Sequence, residues 1–131
     1  MKKISVFLIM IILLFFTSCD GISYPFKNTI DEIKSIEIVE AKNSREYTVL
    51  KTLSELEKED FIKRFEEIIF HRWFFGDPLS VSGKSVKITY VTGDYEIVCY
   101  RWAEYVNADV YFIRRYCDKE EFNELLDLYL K

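Results

Sequence analysis

An α+β domain is the fold that this sequence predicts, with a mainly antiparallel sheet of about five to six strands and two amphipathic helices on one face. Three observations carry it. Short runs of β-branched and aromatic residues recur between clusters of Gly, Pro, Asn, Asp and Ser. The apolar period changes from alternation to a helical stripe over 54–69 and again from 118 to the chain end. Two alternating apolar runs flank Thr92-Gly93, a hairpin signal.

The elements follow in order. Before any domain comes a leader: Lys2 and Lys3, an apolar run from Ile4 to Phe16 broken only by Ser5, then Thr17, Ser18 and Cys19. A positive head, an apolar stretch and small residues form a secretory signal, set aside before fold reasoning. As a helix the run reaches roughly 20 Å at ~1.5 Å per residue, short of the ~30 Å bilayer core. The ending Phe16-Thr17-Ser18-Cys19 resembles the lipobox of bacterial lipoprotein precursors. Thr17, Ser18 and Cys19 match the family pattern, and Phe16 stands where Leu, Val or Ile is usual. The resemblance covers the first nineteen residues. It implies lipidation of the Cys19 thiol, cleavage before it, and an extracytoplasmic domain held to a bacterial membrane, either the cell membrane or an outer membrane.

Residues 19–30, with Gly21, Pro25 and Asn28, are expected to be a lipid-proximal tether, and 31–131 a single domain. A first strand is expected near 34–40, where Ile36-Glu37-Ile38 alternates, and a second over Glu46 to Leu53. From Ser54 to Ile69, Leu56, Ile62, Phe65, Ile68 and Ile69 share one helical face, widened by Phe61. Asp60 and Arg64 pair four apart on the other face, and Ser54 with Glu57 has capping-box spacing. Phe70 to Phe75 reads as a third strand and Gly76 to Lys84 as a loop. With Thr92-Gly93 as the turn, the hairpin 85–91/94–104 sets Tyr90 against Tyr95, Ile88 against Ile97 and Val86 against Cys99. Asn107-Ala108-Asp109 makes the next turn, leading to a strand over Val110 to Tyr116. Asp118 with Glu121 then caps a helix with Phe122, Leu125, Leu126 and Tyr129 in its stripe.

Charge and cysteines narrow the partners. Of 131 residues, 18 are basic and 22 acidic; without Lys2 and Lys3 the balance is 16 against 22, a net −6. An acidic body argues against nucleic acid and against docking flat on anionic lipid, so the domain is expected to stand off the membrane on its tether. Cys99 and Cys117 remain after the leader. The register around Asn107-Ala108-Asp109 sets them opposite each other, so a disulfide and a pair of buried free thiols both stand open. The same register sets Arg101 against Arg115. No CxxC exists and His71 is the lone histidine, so no metal and no cofactor is expected.

The main candidate site is the sheet face that the helices leave open. On the strand after Asp94, Glu96, Val98, Tyr100, Trp102 and Glu104 are expected to share it, with His71, Trp73 and Phe75 of the aromatic strand alongside. Tyr and Trp on a half-exposed face offer contact area with a polar handle. The expected function is a non-catalytic binding or interaction module of the cell envelope, with His71, Trp73, Tyr100 and Trp102 as its binding face and an envelope protein or polymer as partner. A structural accessory subunit and a small hydrolase are the alternatives. Gly83-Lys84-Ser85 mimics the end of a phosphate loop, but Pro78 holds the first glycine's place and a strand follows, so nucleotide is not expected. His71 has no evident serine or cysteine partner, and Asp77, Asp94 and Glu96, which could sit near each other for acid–base work, lie beside turns where carboxylates are ordinarily just solvated.

Overall fold

The computed structural model describes residues 21–72, 80–113 and 115–131. The leader, Cys19, Trp73, Phe75 and Asp77 lie outside them. In chain order the elements are a 3-10 turn (Ile30–Glu32), β1 (Ile33–Ala41), β2 (Tyr47–Thr52), α1 (Glu55–Glu67), β3 (His71–Arg72), β4 (Gly83–Tyr90), β5 (Tyr95–Cys99), β6 (Trp102–Val106), β7 (Val110–Ile113), β8 (Arg115–Tyr116) and α2 (Lys119–Leu130). The fold is α+β. A six-stranded antiparallel sheet has the order β2-β1-β4-β5-β6-β7, and β3 pairs with β8 in a separate two-stranded ribbon.

Both helices bury their stripes against the same sheet face. Phe61, Ile62 and Phe65 of α1 and Phe122, Leu125, Leu126 and Tyr129 of α2 pack with Ile36, Ile38, Val86, Ile88 and Val98. Each such side chain contributes about 1.5–3 kcal/mol by leaving water. Ser54 caps α1 through a complete capping box, and the Asp118 side chain accepts from the Glu121 N–H at 2.9 Å. Two stripe residues fall elsewhere: Leu56 is 81% exposed, and Ile69 lies beyond the helix at 47%.

The hairpin register differs from the expected one by a residue. Val86 pairs with Val98, Ile88 with Glu96 and Thr89 with Tyr95. The turn is a three-residue loop, Val91 to Gly93, closed by Tyr90 N–H donating to Asp94 O and Gly93 N–H to Tyr90 O, both at 2.9 Å. Gly93 takes φ +91°, the left-handed conformation that such a loop requires of its last residue. A one-residue slip changes the face of every side chain. Glu96 and Val98 therefore face the helices, while Ile97 and Cys99 face away.

The strand expected from Asp94 to Glu104 is two strands. It folds back at Tyr100-Arg101, pairing Cys99 with Trp102 and Tyr95 with Val106. The turn at 107–109 is as expected, with Val106 opposite Val110. Because of the fold-back, Arg101 sits in a turn and Arg115 pairs with Arg72 instead.

The open face is covered in part by the chain's own β1–β2 turn. Asn43 Oδ1 accepts from the Arg45 and Glu46 N–H groups, both at 2.9 Å. The turn reaches across to receive the Tyr95 hydroxyl on Ser44 O at 2.8 Å, and Arg45 donates to Ala108 O at 3.4 Å. Beneath it lies a second apolar cluster of Val39, Ala41, Val81, Ile97, Cys99 and Trp102.

The expected tether is also corrected. Ile22 exchanges two backbone hydrogen bonds with Phe70, at 2.9 and 2.8 Å. Tyr24 is buried, and its ring meets Phe26, Phe65 and Phe70 at centroid separations of 5.1–5.3 Å. From Ile22 onward the segment is part of the folded body, because its aromatic residues complete the core at the end of α1.

Candidate functional site

The three described residues of the expected binding face, His71, Tyr100 and Trp102, do not share one face. Trp102 is fully buried, since the fold-back at Tyr100-Arg101 turns it with Cys99 into the rear cluster. Its Nε1 and the Oε2 of Glu104, on the same side of β6, are buried without hydrogen-bond partners among the described residues. Tyr100, in the turn itself, packs partly against the helix-side core, with Lys119 and Arg101 over its ring at 5.5 and 5.9 Å. His71 lies half-buried on β3, its ring 5.5 Å from Tyr116. Trp73 lies outside the described residues.

Both cysteines are free and buried. Cys99 belongs to the rear cluster and Cys117 to the helix-side core. Burial pushes the Cys117 thiol up to about 12, so thiolate is scarce there. Gly83-Lys84-Ser85 opens β4, and Lys84 forms an ion pair with Asp127 at 2.6 Å rather than facing a phosphate site.

Neither described carboxylate candidate is open for acid–base work. Glu96 is fully buried. Its two oxygens accept from the Tyr24 hydroxyl at 3.1 Å, the Tyr90 hydroxyl, and the Lys27 N–H at 3.2 Å to each. Desolvation raises the Glu96 pKa against these bonds, and burial beside the carboxylate raises both tyrosines. Asp94 accepts from the Tyr105 hydroxyl at 2.7 Å, which pushes that tyrosine up to about 12. These are structural contacts: they fasten the amino-terminal segment and the hairpin to the sheet. Among the described residues no cluster of three His, Cys, Asp or Glu side chains is placed to hold a metal.

Exposed aromatic surface lies instead on β7, at one edge of the large sheet. Tyr111 and Phe112 are each 50% exposed. They point to opposite faces, and each is backed by a buried ring: Tyr111 by Tyr105 at 6.1 Å, Phe112 by Trp102 at 5.8 Å. Val110 to Ile113 carries no charge. An edge strand presents unpaired N–H and C=O groups and is ordinarily blunted by charge or proline. Pairing with an added strand is what this arrangement can do chemically. The opposite edge, β2, carries Lys51, and its pairing with β1 shifts register between Ile38 and Val39. A groove of about 270 Å³ between the helices is lined by Arg64, Glu67, Ile68, Glu121, Glu124, Leu125 and Leu128, and no nucleophile stands in it.

The uncharged, β-prone run from Val110 to Ile113 is the sequence signal for this site. What hid it was the strand order, since nothing local says that β7 stands at the end of the six-stranded sheet among the described residues. Among the described residues, the fold and the site define an α+β domain with an aromatic strand at the sheet margin. Compared with known proteins, the chain matches no family model, no curated protein and no solved structure.

Proposed function

We propose that the mature chain is a non-catalytic binding module of the cell envelope, anchored by lipid at Cys19 outside the cytoplasm. Its partner is an envelope protein that adds an extended segment to β7. The observation that carries this reading is the uncharged edge strand with Tyr111 and Phe112 half-exposed on its two faces. Main-chain hydrogen bonds would supply affinity, and the two aromatic side chains would select apolar residues at alternating partner positions. The buried Trp102 takes the role of support beneath Phe112 rather than contact. Nothing in the site calls for a cofactor, nucleotide or nucleic acid.

The test is site-specific photo-crosslinking in intact envelopes, with a benzophenone amino acid at Tyr111 and, for comparison, at Val49 on β2. The expected result is a discrete adduct from Tyr111 that is lost in Phe112→Lys, a change that charges the edge at a half-exposed position. No adduct, or equal adducts from both edges, overturns the reading.

A further inference from the structure

We infer that the segment added to β7 carries a lysine at the position facing Phe112, and that its ammonium is the counter-charge of Glu104. This rests on the edge-strand reading above and narrows the partner to a lysine-bearing extended segment.

Strand register is the first argument. On the sheet face turned away from the helices, Glu37, Lys87, Ile97, Glu104 and Phe112 form one row, each directly opposite the next across β1, β4, β5, β6 and β7. The carboxylate at the β1 end has its cation, with Lys87 Nζ 3.1 Å from Glu37 Oε2. The second carboxylate, Glu104, has Ile97 and Phe112 as its ladder neighbours. Lys87 stands two strands away and is held by Glu37 and by the rings of Tyr47 and Tyr95, each centred 4.9 Å from its Nζ. Arg45, in the turn that crosses this face, donates to Ala108 O.

Burial is the second. Glu104 is 4% exposed, and its Oε2 is buried without a hydrogen-bond partner among the described residues. Taking a carboxylate out of water carries a cost that a paired cation offsets. Buried polar atoms left unpartnered are few in a folded protein. Trp102 Nε1 is another, on the same side of β6, but an indole N–H only donates. The group that a cation answers is Glu104.

Reach is the third. A strand added beside β7 sets its residues one strand spacing from Phe112 and two, about 9.5 Å, from Glu104. An extended lysine and a glutamate side chain together span that gap. The lysine stem lies along the half-exposed Phe112 ring, and the ammonium continues to Oε2. One residue thus supplies both the apolar contact at Phe112 and the charge. Lysine suits the row better than arginine, because a compact ammonium needs one oxygen whereas a guanidinium fork takes both in its plane. The net −6 of the chain from Cys19 onward favours the approach of a basic segment.

The experiment uses the full chain in intact envelopes, with the benzophenone amino acid at Tyr111, which faces away from Phe112, and Glu104→Gln introduced beside it. The expected result is a loss of adduct of roughly tenfold or more, the effect of removing one partner of a desolvated charge pair. Mass spectrometry of the wild-type adduct identifies the partner segment. Changing its lysine to methionine should weaken the adduct equally, with no further loss when combined with Glu104→Gln. An adduct undiminished by Glu104→Gln, or a partner segment without lysine, overturns this inference and leaves the edge-strand reading standing. No adduct from the wild type overturns both. Urea unfolding separates a partner role from a role in the fold. The Glu104→Gln midpoint should be no lower than that of the wild type, since Oε2 has no bond to lose, and a lower midpoint would assign Glu104 to the fold and sink the inference.

Discussion

At the level of single side chains, Glu96 accepts hydrogen bonds on both oxygens from Tyr24, Tyr90 and the Lys27 N–H, and burial still raises its pKa. The folded state therefore holds this proton more tightly than the unfolded chain, whose glutamates titrate at about 4.3. The stability that Glu96 contributes is complete below that value and falls as pH rises through the higher, folded pKa. Glu96→Gln removes the titration. It also sets an NH₂ against the Lys27 N–H, which cannot turn to accept, at a cost of about 1–3 kcal/mol. Urea unfolding of wild type and variant should show a stability gap that is largest near pH 4 and narrows toward pH 8. A gap independent of pH would mean that Glu96 does not titrate in this range. Trp102 raises a related point. Truncating a buried ring costs about 3–5 kcal/mol, so Trp102→Ala reports on packing rather than on a surface contact.

Among the elements, the β4–β5 hairpin decides which residues reach the core. Gly93 holds φ +91°, and an added Cβ there would meet nothing within 4 Å. Gly93→Ala should therefore carry backbone strain alone, about 1–2 kcal/mol, read as a lower urea midpoint with an unchanged slope. A neutral result would show that the turn can relax. This element also shows where the sequence runs short. Both helices were legible, because period and caps are local. The register was not: Val91 has strand propensity, so the sequence predicts a two-residue turn where the loop holds three. The fold-back at Tyr100-Arg101 contains no Gly, Pro, Asn or Asp, the residues that mark turns. That break sends Trp102 to the rear. The amino-terminal segment carried Gly, Pro and Asn, and its docking depends on Tyr24 finding Glu96, a partner 72 positions away. The candidate edge was half legible: the β7 strand was expected, but not its place at the margin of the sheet.

For the whole molecule, two layers of side chains sandwich the sheet, and each contains one cysteine. Both thiols are free and buried, one on either side of the sheet. Native protein should leave Cys99 and Cys117 unreactive toward a thiol reagent, and urea should release both without reductant. Two thiols that appear only after reduction would establish the disulfide instead. Because burial holds Cys117 up to about 12, raising the pH to 9 should not by itself expose it.

The Tyr24–Glu96 contact also bears on how the chain comes to fold. A polypeptide delivered amino end first presents Tyr24 long before its acceptor has been made or threaded through. Strands β1 and β2 and helix α1 emerge in that interval with the cleft for Tyr24 unfinished. Closure has to wait for β5, and late long-range closure of this kind slows folding. Until then the leading segment remains slack, available to whatever machinery handles the new chain's front end.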